Sequence, residues 1–161
     1  MKTCLVVALS LAMLPLRTIA ETGKTGSAAS DTAAMSPAQL KKYYSRTVAD
    51  YVKDQIKKAG AFIVHDDVMS KDWRLRMLKV HTERIWDQGN GHFFACADLR
   101  EMSGPKTKLD LDFFVRRQGG QWIMDKVVVH KVSGQARYTY VEENGKWFSE
   151  DLKTKIRTPV E

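Results

Sequence analysis

The chain has 161 residues, a length suited to one domain. Its 26 Lys and Arg against 19 Asp and Glu give a net charge of +7, mixed in sign and without a Lys/Arg block. That balance permits attraction to acidic partners but argues against nucleic acid as one.

The first twenty residues do not read as part of the domain. Lys2 supplies a short positive region, and residues 4–16 are apolar almost throughout. Thr18-Ile19-Ala20 then puts small residues at the two positions that a signal peptidase reads, with an atypical Arg17 just before them. This pattern predicts a secretory signal peptide cut before Glu21, and hence a periplasmic or extracellular mature protein. The apolar run is shorter than the about 20 residues of a membrane-spanning helix; the alternative is an uncleaved membrane anchor. A lipoprotein signal would place a cysteine directly after the cut, and Cys4 lies far too early. Removing the segment takes away Lys2 and Arg17 and no acid, lowering the net charge from +7 by two to +5. It also takes Cys4, leaving Cys96 as the one cysteine, so an intramolecular disulfide is excluded and no CxxC redox pair exists. The core must stand on packing.

Residues 21–35 are rich in Gly, Ser, Thr and Ala, with no large apolar residue before Met35. Such a segment buries too little surface to offset its ordering entropy and reads as a flexible tether. Ser36-Pro37 then opens a helix, the serine as cap and the proline at the first helical position. Leu40, Tyr43, Tyr44, Val48, Tyr51, Val52 and Ile56 recur at spacings of three and four, giving one apolar face. Lys57-Lys58 suit the negative end of the helix dipole, and Gly60 ends the helix.

After Gly60 the period changes to two. Strands are predicted over 61–65, 73–81, 92–101, 107–117, 121–131 and 137–141, with Trp147-Phe148 beyond a last turn at 143–146. Residues 87–91 read as a turn, 103–106 as a loop, and Gly119-Gly120 as a tight hairpin turn. The basic tail over 151–161 has little apolar content and is expected to fray. The fold class is therefore α+β: one N-terminal helix packed on a curled antiparallel meander sheet of about five to six strands, in a single domain over 36–150.

This order of elements resembles the cystatin-like and NTF2-like superfolds. The run Asp110-x-Asp112-Phe113-Phe114-Val115, followed by His130-Lys131-x-x-Gly134-x-x-Arg137-Tyr138-x-Tyr140, is also similar to small exported bacterial proteins of unassigned function. Neither resemblance transfers an activity, because such folds host many functions.

A regular two-residue hairpin puts Leu109, Leu111, Phe113 and Val115 on one face with Trp122, Met124, Val128 and His130, facing the helix. The other face then carries Asp110, Asp112, Phe114 and Arg116. His130 would end the apolar face, where the NTF2-like resemblance implies a pocket. It is the first candidate for ligand contact, against the plainer reading of a hydrogen-bonded histidine at the core's edge. The tyrosines Tyr44, Tyr51 and Tyr138, with Trp122, are further candidates for a cleft wall, since they combine apolar faces with polar edges. Helical spacing makes Tyr44 and Tyr51 core residues first.

Residues 92–101 admit two registers. In one, Phe93, Ala95, Ala97 and Leu99 are core, and Cys96 lies outside with a mixed ladder of Asp98, Arg100, Lys108, Asp110 and Asp112. In the other, Asp98, Arg100 and His130 meet at the pocket end, an arrangement suited to acid–base catalysis or anion binding. Asp110 and Asp112, on one strand face, are weak candidates for a hard cation, and a solvated strand face is the plainer reading. His65-Asp66-Asp67 is weaker still, because adjacent strand residues point opposite ways. Cys96 is a candidate nucleophile, but a lone cysteine among small apolar residues is more often inert packing.

No catalytic signature is present and no cofactor is implied. The sequence points first to an exported binding or accessory module that holds a small ligand or an envelope protein, by a helix–sheet cleft or the outer sheet face. The alternatives are a small NTF2-like enzyme using His130 and Asp98, and a metal- or thiol-linked envelope protein using Asp110 and Asp112 or Cys96.

Overall fold

The structure, a computed structural model, describes residues 35–160. The signal read over 1–20 and nearly all of the tether over 21–35 lie outside them. Helix α1, Pro37–Ala59, begins as its sequence requires. Ser36 Oγ accepts the Gln39 amide at 3.3 Å, and the Gln39 side chain returns the bond to the Ser36 amide at 3.0 Å. At the other end Gly60 adopts φ 74° and its N–H reaches Ile56 O at 2.8 Å. Tyr44, Val48 and Val52, four residues apart, form the buried stripe of the helix. Among the described residues no helix is long and apolar enough to cross a membrane.

Ten strands follow: β1 Phe62–Asp66, β2 Lys71–Val80, β3 Trp86–Gly89, β4 His92–Glu101, β5 Lys108–Gln118, β6 Gln121–Val132, β7 Gln135–Ala136, β8 Tyr138–Glu143, β9 Lys146–Asp151 and β10 Arg157–Pro159. The first seven make one antiparallel sheet in the order β1-β2-β4-β5-β6-β7, with β3 pairing β4 from the side. This sheet curls strongly around α1, the expected α+β architecture. The core lies between: Tyr44, Val48, Phe62, Leu75, Ala95, Ala97, Leu99, Leu109, Leu111 and Phe113 are inaccessible or nearly so. The Tyr44 hydroxyl enters the ladder itself, accepting from Ala95 N at 2.8 Å and donating to Phe113 O at 2.6 Å. Its role is thus structural.

Strands β8, β9 and β10 form a second sheet, which the sequence reading did not separate from the first. The tail does not fray over its whole length. Residues 157–159 pair with β9, and Arg157 meets Glu143 and Glu150 on the neighbouring strands. Basic residues that looked like a solvated tail are one half of a cross-strand charge pattern. Residues 87–89, read as the start of a turn, instead belong to β3 and pair with β4, and Gln88 gives the two sheets a further contact by donating to Val160 O.

A buried clasp fixes the second sheet's entry. Arg137, just before β8, donates both terminal nitrogens to Asp66 at 2.7 and 2.6 Å, and Trp73 Nε1 and the Met69 amide donate to the same carboxylate at 2.8 and 3.1 Å. Burial raises the Asp66 pKa, but the Arg137, Trp73 and Met69 hydrogen bonds more than offset this and bring it down to about 2. Asp66 is therefore a structural anchor, spoken for by four donors, in keeping with the weakness of the metal reading of His65-Asp66-Asp67.

Candidate functional site

Strand register decides which side chains meet. In β4 and β5, Cys96 stands opposite Asp112, Asp98 opposite Asp110 and Arg100 opposite Lys108. Phe93, Ala95, Ala97 and Leu99 face the core. This is the first of the two registers the sequence allowed, chosen by the uniformly apolar set. Asp98 lies on the outer face, held by Lys108 at 3.0 Å and His81 at 3.4 Å. Burial raises its pKa, and Lys108 and His81 more than reverse that. The acid–base grouping of Asp98, Arg100 and His130 in a helix–sheet cavity is not assembled.

His130 is also on the outer face, against the expectation from a regular hairpin. The β5–β6 ladder pairs Val115 with Met124 but Phe114 with Lys126, and Leu111 with Val129 but Asp110 with Lys131. Asp125 and His130 are therefore extra residues, each at a bulge, and each bulge reverses the alternation after it. Two reversals bring Val127, Val129 and Val132 to the helix side and send Val128 and His130 to the other. The apolar residues over 127–129 form an unbroken run, so their alternation did not reveal the shift.

The candidate residues consequently divide between two faces. Tyr44, Tyr51 and Trp122 belong to the helix side: Tyr44 is inaccessible, Tyr51 packs on Phe62, and Trp122 stacks on Tyr43 and Phe93. His130 and Tyr138 meet on the outer side, stacked with ring centroids 4.8 Å apart.

The outer face is covered by the second sheet, and a polar cluster lies between. Asp112, with no accessible side-chain surface, accepts Tyr138 Oη at 2.8 Å and Tyr140 Oη at 2.6 Å, both on Oδ2. His130 Nδ1 lies 3.5 Å from that oxygen and 3.9 Å from Cys96 Sγ. His130 Nε2 donates to Tyr138 O at 3.2 Å; a carbonyl only accepts, so this nitrogen carries a hydrogen. Asp110 joins from the same strand, its Oδ2 3.2 Å from Lys131 Nζ. Asp110 Oδ1 and Asp112 Oδ1 are buried without a hydrogen-bond partner among the described residues.

Electrostatics follow from this crowding. Burial pushes the Asp112 carboxyl up, yet His130, Cys96 and Tyr140 more than offset it and hold the group below the usual carboxylate range. Burial, then the Asp112 charge, push the Cys96 thiol well above its usual range. A thiol so placed favours the protonated form, which is the poorer nucleophile. Burial and the Asp112 charge likewise raise Tyr138 and Tyr140.

Beside the cluster an open cavity of about 550 Å³ runs between the two sheets. His81, Arg84, Trp86, Lys131 and Trp147 line it, and Cys96, Asp110 and His130 reach it from the cluster. Buried rings back its aromatic wall: Trp86 stacks on Phe94 at 5.0 Å, Phe94 on Phe114 at 5.2 Å, and Tyr140 leans on Phe94 at 4.6 Å. Sequence reasoning missed Trp86, Trp147, Arg84 and His81. Phe94 and Phe114 alternating with the core residues Phe93 and Phe113 were the available signal, since two adjacent phenylalanines on a strand supply an aromatic residue to each face.

Comparison of the chain with protein-family models finds no match, and neither the curated proteins nor the solved structures give a significant one.

Proposed function

We propose that this is a small exported binding protein that holds a small polar ligand in the cavity between its two sheets. The observation that carries the reading is the cavity itself. It is concave, with Trp86, Tyr140 and Trp147 in its wall, and Arg84, Lys131, His81 and Glu83 also line it. Its lining mixes charged and polar side chains, Glu83, Arg84, Asp110 and Lys131 among them, with the rings of Trp86, Tyr140 and Trp147, which suits a polar ligand with a flat face. Trp86 and Trp147 suit the flat face of a ring, and Arg84 suits an acid group on it. Export is supported by the charged, apolar and small-residue pattern of residues 1–20.

Two experiments test this reading. Tryptophan fluorescence of the purified protein, titrated with aromatic carboxylates, should show saturable quenching that Trp86→Phe and Arg84→Ala each weaken. Quenching that neither substitution alters would place the ligand elsewhere. Fractionation of cells expressing an epitope-tagged full-length chain should find the protein outside the cytoplasm, shortened by the signal; a full-length cytoplasmic product would end the export reading.

A further inference from the structure

The polar cluster at the cavity floor has a composition that neither ligand contact nor packing explains. Four different donors converge there from three strands: a thiol on β4, two carboxylates on β5 and an imidazole on the β6 bulge. We propose that Cys96, Asp110, Asp112 and His130 bind a single thiophilic divalent transition-metal ion, Zn²⁺ by preference.

Geometry is the first argument. One donor atom from each of the four residues lies within 4.8 Å of all the others. Ordinary zinc bond lengths in a tetrahedron separate a sulfur and a nitrogen donor by about 3.6 Å, and a nitrogen and an oxygen donor by about 3.4 Å. The corresponding separations here are 3.9 Å for Cys96 Sγ to His130 Nδ1 and 3.5 Å for His130 Nδ1 to Asp112 Oδ2. Adjustments of a few tenths of an ångström bring these two pairs to those separations, and the other donors lie within 4.8 Å.

The surroundings are the second argument. A metal-binding histidine typically donates its other ring N–H to a carbonyl or carboxylate, which fixes the tautomer. His130 does this through Nε2 to Tyr138 O, leaving Nδ1 turned toward Cys96 and Asp112. Metal-binding carboxylates are likewise braced from outside. Tyr138 and Tyr140 brace Asp112, and Lys131 braces Asp110 through Oδ2.

The third argument is what remains unpaired. Asp112 Oδ1 and Asp110 Oδ1 are buried and accept nothing from the described residues. A buried carboxylate short of donors costs free energy; a cation held by Asp110 Oδ1 and Asp112 Oδ2 relieves the first directly and offsets the charge on the second. A hard cation such as Ca²⁺ would use the oxygens but gain nothing from sulfur and imidazole, so the donor set selects zinc or a neighbouring transition metal. Binding replaces the Cys96 S–H bond with an S–metal bond and releases the proton to solvent, without any change of oxidation state. The cavity gives the ion a route in.

The ion site stands on these contacts and does not depend on the cavity's organic ligand. The test uses full-length protein, freed of metal with a chelator and titrated with Co²⁺. One equivalent should produce a thiolate-to-cobalt charge-transfer band in the near ultraviolet together with intense four-coordinate visible bands, and Zn²⁺ should abolish both. Calorimetry in buffers of different ionisation enthalpy should show about one proton released per ion. Cys96→Ser should remove the charge-transfer band. Tyr140→Phe should keep the band but weaken binding about 10- to 100-fold, as loss of an outer brace does. Circular dichroism of each variant establishes that it folds. A weak spectrum of six-coordinate cobalt, or a Cys96→Ser protein that binds Co²⁺ as the wild type does, would overturn the proposal.

Discussion

Replacing Asp66 by Asn tests how the second sheet is held over the first. The carboxylate is fully buried and receives four donors, two of them from Arg137, whose side chain is 17% exposed. Asparagine keeps the shape but leaves the guanidinium facing a neutral group. Breaking a buried pair on one side costs about 3–5 kcal/mol, and the partial exposure of Arg137 places this one near the lower end. The loss has a pH signature. Asp66 has a pKa of about 2 in the folded protein against an ordinary value of 3.8. Because the folded value is the lower one, the stabilisation is complete above pH 4 and disappears as pH falls toward 2. That gap is worth about 2 kcal/mol. Urea unfolding of wild type and Asp66→Asn, from pH 7 to pH 2, should show a deficit of about 3 kcal/mol at neutrality that narrows by about 2 kcal/mol at pH 2. A deficit below about 1 kcal/mol, or one that stays constant with pH, would refute the clasp as a source of stability.

Three further expectations follow from the same contacts. Tyr44→Phe removes the hydroxyl between Ala95 N and Phe113 O and should cost about 1–3 kcal/mol in urea unfolding, whereas a change within experimental error would mean that the two strands close up and pair directly. Gly91 has φ 78°, and an added Cβ would stand 2.7 Å from the Arg117 carbonyl oxygen. Gly91→Ala should therefore destabilise by about 1–3 kcal/mol more than Gly120→Ala, where φ is 76° but no atom lies within 4 Å of the added carbon; equal costs would show that the backbone conformation alone matters. In metal-free protein at pH 8, Cys96 should react with a disulfide reagent at least about tenfold more slowly than the unfolded chain does, because burial and Asp112 keep the thiol protonated; equal rates would contradict the placement of Asp112 beside it.

Local signals carried much of the fold. Ser36, Pro37, Lys57, Lys58 and Gly60 bound the helix in the sequence as they do in space, because capping chemistry is decided within a few residues. The register of β4 stood between two alternatives in the sequence, and the structure takes the one that buries the uniformly apolar set Phe93, Ala95, Ala97 and Leu99. The face of His130 was not. A bulge is an extra residue in a ladder, and within an apolar run such as Val127–Val128–Val129 it leaves no break in the pattern. The second sheet was hidden for a different reason. Its strands are short and carry charges, and Asp112 becomes a buried carboxylate only because Tyr138 and Tyr140 arrive from it. Read alone, Asp110-x-Asp112 is a solvated face. The site depends on pairing between segments up to 44 residues apart, from Cys96 to Tyr140, and no local pattern encodes that.

We place the working site of this protein on the outer face, beneath the second sheet. Crystals of the full-length protein grown with Zn²⁺, with data collected on both sides of the zinc absorption edge, test it most directly. One dominant anomalous peak is expected within bonding distance of Cys96 Sγ and His130 Nδ1, with Asp110 and Asp112 completing the sphere. A peak confined to the exposed His65, Asp67 and Asp72 side chains, or none at the cluster, would contradict it.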